Sequence, residues 1–176
     1  MVERPGTVVL DASAGLKLVR DEADSDAVSR TVADAPRTCV PAFFWLEVVN
    51  ALARRHGWSG AAVIEAIHEL ESLGIETVEA DRAALLAVID LVERHDLTAY
   101  DAAYLALALS LDADIATGDR RLTLAAGERA IVVGRMGGIE EERAGYRSRT
   151  PSWPSWADAG AYLADLRAAG APLRQG

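Results

Sequence analysis

Short apolar runs rich in β-branched residues alternate along this chain with longer stretches whose apolar positions recur every three or four residues. Residues 7–10, 38–40, 75–78, 114–117 and 131–133 read as strands, and residues 12–20, 24–34, 42–55, 61–72, 81–95 and 98–111 as helices. The punctuation agrees. Pro41 precedes the third helix, Gly57 and Gly60 break the chain after it, and Gly74 ends the fourth. Asp81 and Thr98 stand where N-caps belong. Strands that alternate with helices predict a three-layer α/β/α domain with a central parallel sheet of about five strands.

The pattern changes after Gly134, so residues 1–134 form the expected domain and residues 135–176 a linker and C-terminal helical extension. Met136-Gly137-Gly138 is loop-like, and an acidic run follows at Glu140-Glu141-Glu142. Ser155 and Asp158 resemble a capping box opening a short helix, on which Trp156, Ala159, Leu163 and Leu166 share one face.

Composition narrows the picture. The chain has 176 residues, 51% hydrophobic, enough for one cored domain with an appendage. It lacks both a long uncharged apolar run and the apolar stretch of a signal peptide, so a cytoplasmic protein without a membrane span is expected. Cys39, the single cysteine, has no internal disulfide partner, and with 3 histidines a structural zinc site is not expected. The net charge of −9 argues against general nucleic-acid binding and suits a basic partner. Of 18 basic residues only Lys17 is a lysine; arginine favours bidentate phosphate contacts.

Candidate chemistry lies in four acids beside apolar sequence: Asp11, Glu47, Asp101 and Asp119. Open α/β sheets bind ligands beyond the carboxyl ends of their strands. Asp11 follows the first strand and Asp119 the fourth, so both belong to one rim, whereas Asp112 and Asp114 precede the fourth strand and belong to the other. A gathering of carboxylates repels itself unless a cation neutralises it, which points to a hard divalent metal. Each acid also has an ordinary reading. Asp11 can cap the helix after it, Glu47 can lie on a solvated face, Asp101 can close a capping box with Thr98, and Asp119 can be a turn residue. Ser13 and Thr117 offer hydroxyls that could orient a carboxylate, and Arg120 and Arg121 stand next to the proposed rim.

The segments Leu10-Asp11-Ala12-Ser13, Tyr100-Asp101-Ala102-Ala103-Tyr104-Leu105-Ala106-Leu107-Ala108 and Thr117-Gly118-Asp119-Arg120-Arg121-Leu122, in this order, resemble PIN-domain ribonucleases, specifically the VapC toxins of toxin–antitoxin pairs. The likeness spans about residues 7–134. It implies a metal-dependent endoribonuclease with Mg²⁺, or Mn²⁺ as substitute, held by Asp11, Glu47, Asp101 and Asp119. Of these, Asp11 and Asp101 are expected as the firmest ligands, and Asn50 as support. It also implies RNA as substrate, a homodimer, and a separately encoded antitoxin. The C-terminal extension departs from the usual VapC-like chain. A PIN fold that binds RNA or protein without cutting is the alternative. Response-regulator receivers and dehalogenase-like phosphatases want a lysine late in the chain, and only Lys17 exists.

Overall fold

The computed structural model describes residues 6–20, 22 and 24–133; the expected helix of the C-terminal extension lies outside the described residues. Five parallel strands form one sheet in the order β3-β2-β1-β4-β5: β1 (Thr7–Leu10), β2 (Arg37–Pro41), β3 (Glu76–Val78), β4 (Asp114–Thr117) and β5 (Ala130–Val132). The three-layer expectation is met. β1 and β4 run through the middle, with Val8, Val9, Leu10, Ile115, Ala116 and Thr117 all fully buried, as strands covered on both faces must be. The edge strands β3 and β5 are short and more exposed, which limits unwanted pairing.

From β1 the chain steps outward to β2 and then β3. Between them run α1 (Ala12–Val19) and α2 (Ser25–Asp34), then α3 (Phe44–Asn50), a π-helical turn (Ala51–Arg55) and α4 (Gly60–Ser72). It then returns past β1 to β4 through α5 (Arg82–His95) and α6 (Ala99–Ser110), and reaches β5 through α7 (Arg120–Ala126) and a 3₁₀ turn (Gly127–Arg129). Right-handed crossovers in opposite directions place helices on opposite faces. The packing agrees: α1 touches α2, α3 and α4, whereas α6 touches α5 and α7. The direction of travel reverses between β1 and β4, so their carboxyl ends flank the crevice of the sheet. Among the described residues no helix is long and apolar enough to cross a membrane.

Three local details differ from expectation. Pro41 ends β2 beyond the last β1 partner, where a missing N–H is tolerated, so α3 starts at Phe44 rather than at residue 42. The helix does not stay α-helical to residue 55: its last turn widens, with His56 N–H donating to the Ala51 carbonyl oxygen. The short helix α7 was not expected, because only Leu122 of its apolar residues is buried and the periodicity is too brief to read.

Gly15 sets the spacing of α1 and α3. A Cβ built on it would fall 2.6 Å from Cε2 and Cζ of the fully buried Phe44 ring. Helix propensity favours alanine over glycine by up to about 1 kcal/mol, but overpacking a tight core costs about 1–3 kcal/mol. Gly15→Ala is therefore expected to lower the thermal midpoint, and calorimetry showing an unchanged or raised midpoint would refute the close approach.

Candidate active site

The rim at the ends of β1 and β4 is closed by side chains. Asp11 follows β1 and caps α1, its Oδ1 accepting the Ser13 N–H at 3.0 Å. Its Oδ2 accepts two hydroxyls, Ser13 Oγ at 2.8 Å and Thr117 Oγ1 at 2.5 Å. Each hydroxyl is in turn held by a backbone donor from the exit of β4. Gly118 N–H donates to Ser13 Oγ at 2.9 Å, and Asp119 N–H to Thr117 Oγ1 at 2.9 Å. With its single hydrogen committed to Asp11 and a lone pair to an amide, each hydroxyl has a defined orientation. Gly118 is needed where it stands, since a Cβ there would meet the Val133 carbonyl oxygen at 3.0 Å and Ser13 Oγ at 3.4 Å.

Asp101 enters from the other side of the sheet in the first turn of α6. Thr98 caps that helix by accepting the Asp101 N–H at 3.2 Å and returns its own hydroxyl to Asp101 Oδ2 at 2.6 Å. The capping role and burial coexist, for Asp101 is only 6% exposed. Its charge reaches Asp11. Burial is the main cause that raises the Asp11 proton affinity above the ordinary carboxylate range; the hydrogen bonds from Thr117 and Ser13 oppose it, and the Asp101 charge adds to it.

Glu47 projects from α3, half-buried, and accepts the Tyr104 phenol at 2.7 Å. Asp119 is buried and caps α7, its Oδ1 accepting Leu122 N–H at 2.9 Å. It is a helix cap rather than a turn residue, and Thr117 connects it to Asp11. Ser13 and Thr117 thus lie in the cluster. Asn50 is exposed one turn beyond Glu47. Arg120 is exposed, and Arg121 reaches towards Asp96 at the end of α5, 3.8 Å away. Among the described residues no three His, Cys, Asp or Glu side chains form a ready-made metal cage.

Sequence reasoning passed over Tyr104. It is 1% exposed, its ring stands edge-on to Phe43 at 5.1 Å, and burial with the Asp11 and Glu47 charges pushes its proton affinity far up, so it stays a donor. The available signal was its spacing, three residues after Asp101 on the same helix face.

A PIN domain profile matches residues 8–128, and the chain belongs to the PIN domain family. Its fold is shared by VapC20 of Mycobacterium tuberculosis, a sarcin–ricin-loop cleaving toxin, at 18% identity and a TM-score of 0.58, over 69% of this chain and 97% of that one. A toxin–antitoxin complex from Klebsiella pneumoniae aligns at 14% identity and a TM-score of 0.58, over 71% and 96%. PAE2754 from Pyrobaculum aerophilum aligns at 20% identity and a TM-score of 0.56, over 81% and 96%. No curated protein matches the sequence significantly.

The Asp11–Asp101 coupling has a measurable consequence. The folded state holds the Asp11 proton more tightly than the unfolded chain, whose value is about 3.9. Asp11's contribution to stability is therefore complete below that value and is lost as pH rises through the folded one. Asp101→Asn removes the like charge while keeping an oxygen for Thr98. The Asp11 midpoint, followed by carboxyl ¹³C NMR, is expected to fall, with less stability lost at neutral pH. An unmoved midpoint would show that the two carboxylates do not interact.

Proposed function

We propose that the chain is a metal-dependent endoribonuclease, the toxin of a type II toxin–antitoxin pair, hydrolysing RNA phosphodiester bonds with an activated water. The observation that carries this reading is the buried Asp11 carboxylate, surrounded by hydroxyls and an amide and facing the like charge of Asp101. A hard cation relieves both the burial and the repulsion. The all-oxygen donor set suits Mg²⁺ or Mn²⁺, hard ions that take few direct carboxylates.

Asp11 and Asp101 would hold the ion, with Ser13 and Thr117 orienting Asp11. Bound there, Mg²⁺ would polarise the scissile phosphate and acidify a water. Glu47 would accept a proton from the attacking water, and Asp119 would act through water at the same rim. The water oxygen would bond to phosphorus as the bond to the leaving ribose oxygen breaks, and that oxygen would take a proton from solvent. Arg120 and Arg121 leave the rim directly after Asp119 and would grip neighbouring backbone phosphates. The fold shared with a chain of a toxin–antitoxin complex supports a separately encoded inhibitor, and the net charge of −9 suits a basic inhibitor segment.

The homodimer belongs to the same proposal, and α5 offers a face for it. Leu85, Leu86 and Ile89 are 56%, 60% and 57% exposed. They share a stripe with Arg82 and Glu93 at 100° per residue. An antiparallel two-fold centred between Leu86 and Ile89 sets each Arg82 against the other copy's Glu93, so the stripe complements itself. Leu86→Glu is expected to give monomers by light scattering at concentrations where the parent is dimeric; dimers surviving in the variant would move the interface elsewhere.

The nuclease is tested by incubating the purified chain with total RNA, with Mg²⁺ or Mn²⁺ and with chelator. Cleavage that needs metal and drops at least about a hundredfold in Asp101→Asn, with folding retained, is the expected result. A folded, antitoxin-free protein that binds RNA and never cuts it would instead be a binding module.

A further inference from the structure

Tyr104 ties α6 to α3 beside the acid cluster. Its hydroxyl has one hydrogen, which goes to Glu47 Oε2 at 2.7 Å. The phenol is also near enough to Asp11, at the start of α1, to feel its charge. The ring belongs to α6, three residues beyond Asp101, and packs edge-on against Phe43, which immediately precedes α3. At 1% exposure the phenol cannot swing away, so of the two groups in this bond Tyr104 is the fixed one. Glu47 is the more exposed one, half-buried on a long side chain whose rotamers are expensive to restrict.

A buried phenol usually finds some acceptor, and a backbone carbonyl satisfies it as well as a carboxylate does. Here the acceptor is an acid, and the buried ring that holds it stands on α6 three residues beyond Asp101. We propose that Tyr104 is a positioning residue that holds the Glu47 carboxylate at the Asp11–Asp101 cluster, from which Glu47 takes the proton of the attacking water. The inference rests on the nuclease reading above. Phenylalanine at this position keeps the ring packing and removes the hydroxyl that bonds Glu47. Loss of such an orienting partner typically costs about 10–100-fold in activity.

The test is a double-mutant cycle on the full chain, with Glu47→Gln, Tyr104→Phe and their combination. RNA cleavage at saturating Mn²⁺ and thermal melting are measured for each. Tyr104→Phe is expected to lower kcat about 10–100-fold with KM for RNA little changed. The double variant is expected to be no slower than Glu47→Gln alone, because Tyr104 acts through Glu47. A structural role would instead give multiplying losses in rate, and that outcome, or a wild-type rate in Tyr104→Phe, overturns the proposal. A second readout needs no RNA. Mn²⁺ added to carboxyl-¹³C-labelled protein is expected to broaden the Glu47 resonance strongly in the parent and weakly in Tyr104→Phe, and equal broadening in both overturns the proposal. A parent that fails to cleave yet shows this difference retains the positioning role and loses only the assayed substrate. A parent with neither cleavage nor broadening brings down the nuclease reading and this inference together.

Discussion

The hydrogen bond from Thr117 to Asp11 joins two points 106 residues apart, at the place where the direction of the sheet reverses. The crevice between β1 and β4 exists because one half of the chain winds to one side and the other half returns to the opposite side. An opening of that kind leaves strand-end amides in need of partners, and a buried amide without one costs about 1–3 kcal/mol. Ser13 and Thr117 meet this need and point both of their hydrogens at one carboxylate. The same contacts that complete the sheet therefore create a desolvated acid with a set orientation, against which Asp101 and the Tyr104–Glu47 pair are placed.

Much of this was legible in the chain. Strand-helix alternation predicts the layers, and strand-end positions place Asp11 and Asp119 on one rim, because the side-chain period and the connection rules act locally. What was illegible is what depends on contact between distant residues. Gly15 reads as a weak spot in a helix until Phe44 is seen against it. Tyr104 reads as an ordinary core aromatic until its hydroxyl is found on Glu47. The widened turn at Ala51–Arg55 follows from no propensity of its own residues, and α7 is too short for a periodic signal. For the acids the ordinary readings and the site readings describe the same atoms: Asp11 and Asp119 cap helices and Asp101 completes a Thr98 cap, all within the proposed cluster.

The two halves of the site differ in how they are held. Asp11 and Asp119 stand on backbone next to the central strands, and their positions follow from the sheet. Glu47 stands on α3, whose placement depends on a glycine-to-ring contact on one side and on Phe43 packing with Tyr100 and Tyr104 on the other, at 5.3 and 5.1 Å. A small shift in core packing therefore moves Glu47 before it moves the other acids.

Because helix capping and the acid cluster share residues, the ways in which this chain could lose its chemistry are unequal. Asparagine caps a helix about as well as aspartate, whereas alanine costs about 0.5–2 kcal/mol at such a position. Changes to alanine at Asp11 or Asp119 would erode the fold together with the site, and a marginally stable domain tolerates few of them. Among descendants of this sequence that have fallen silent and still fold, asparagine should outnumber alanine at these two positions, and the helix starts would hide the loss from any measure of stability.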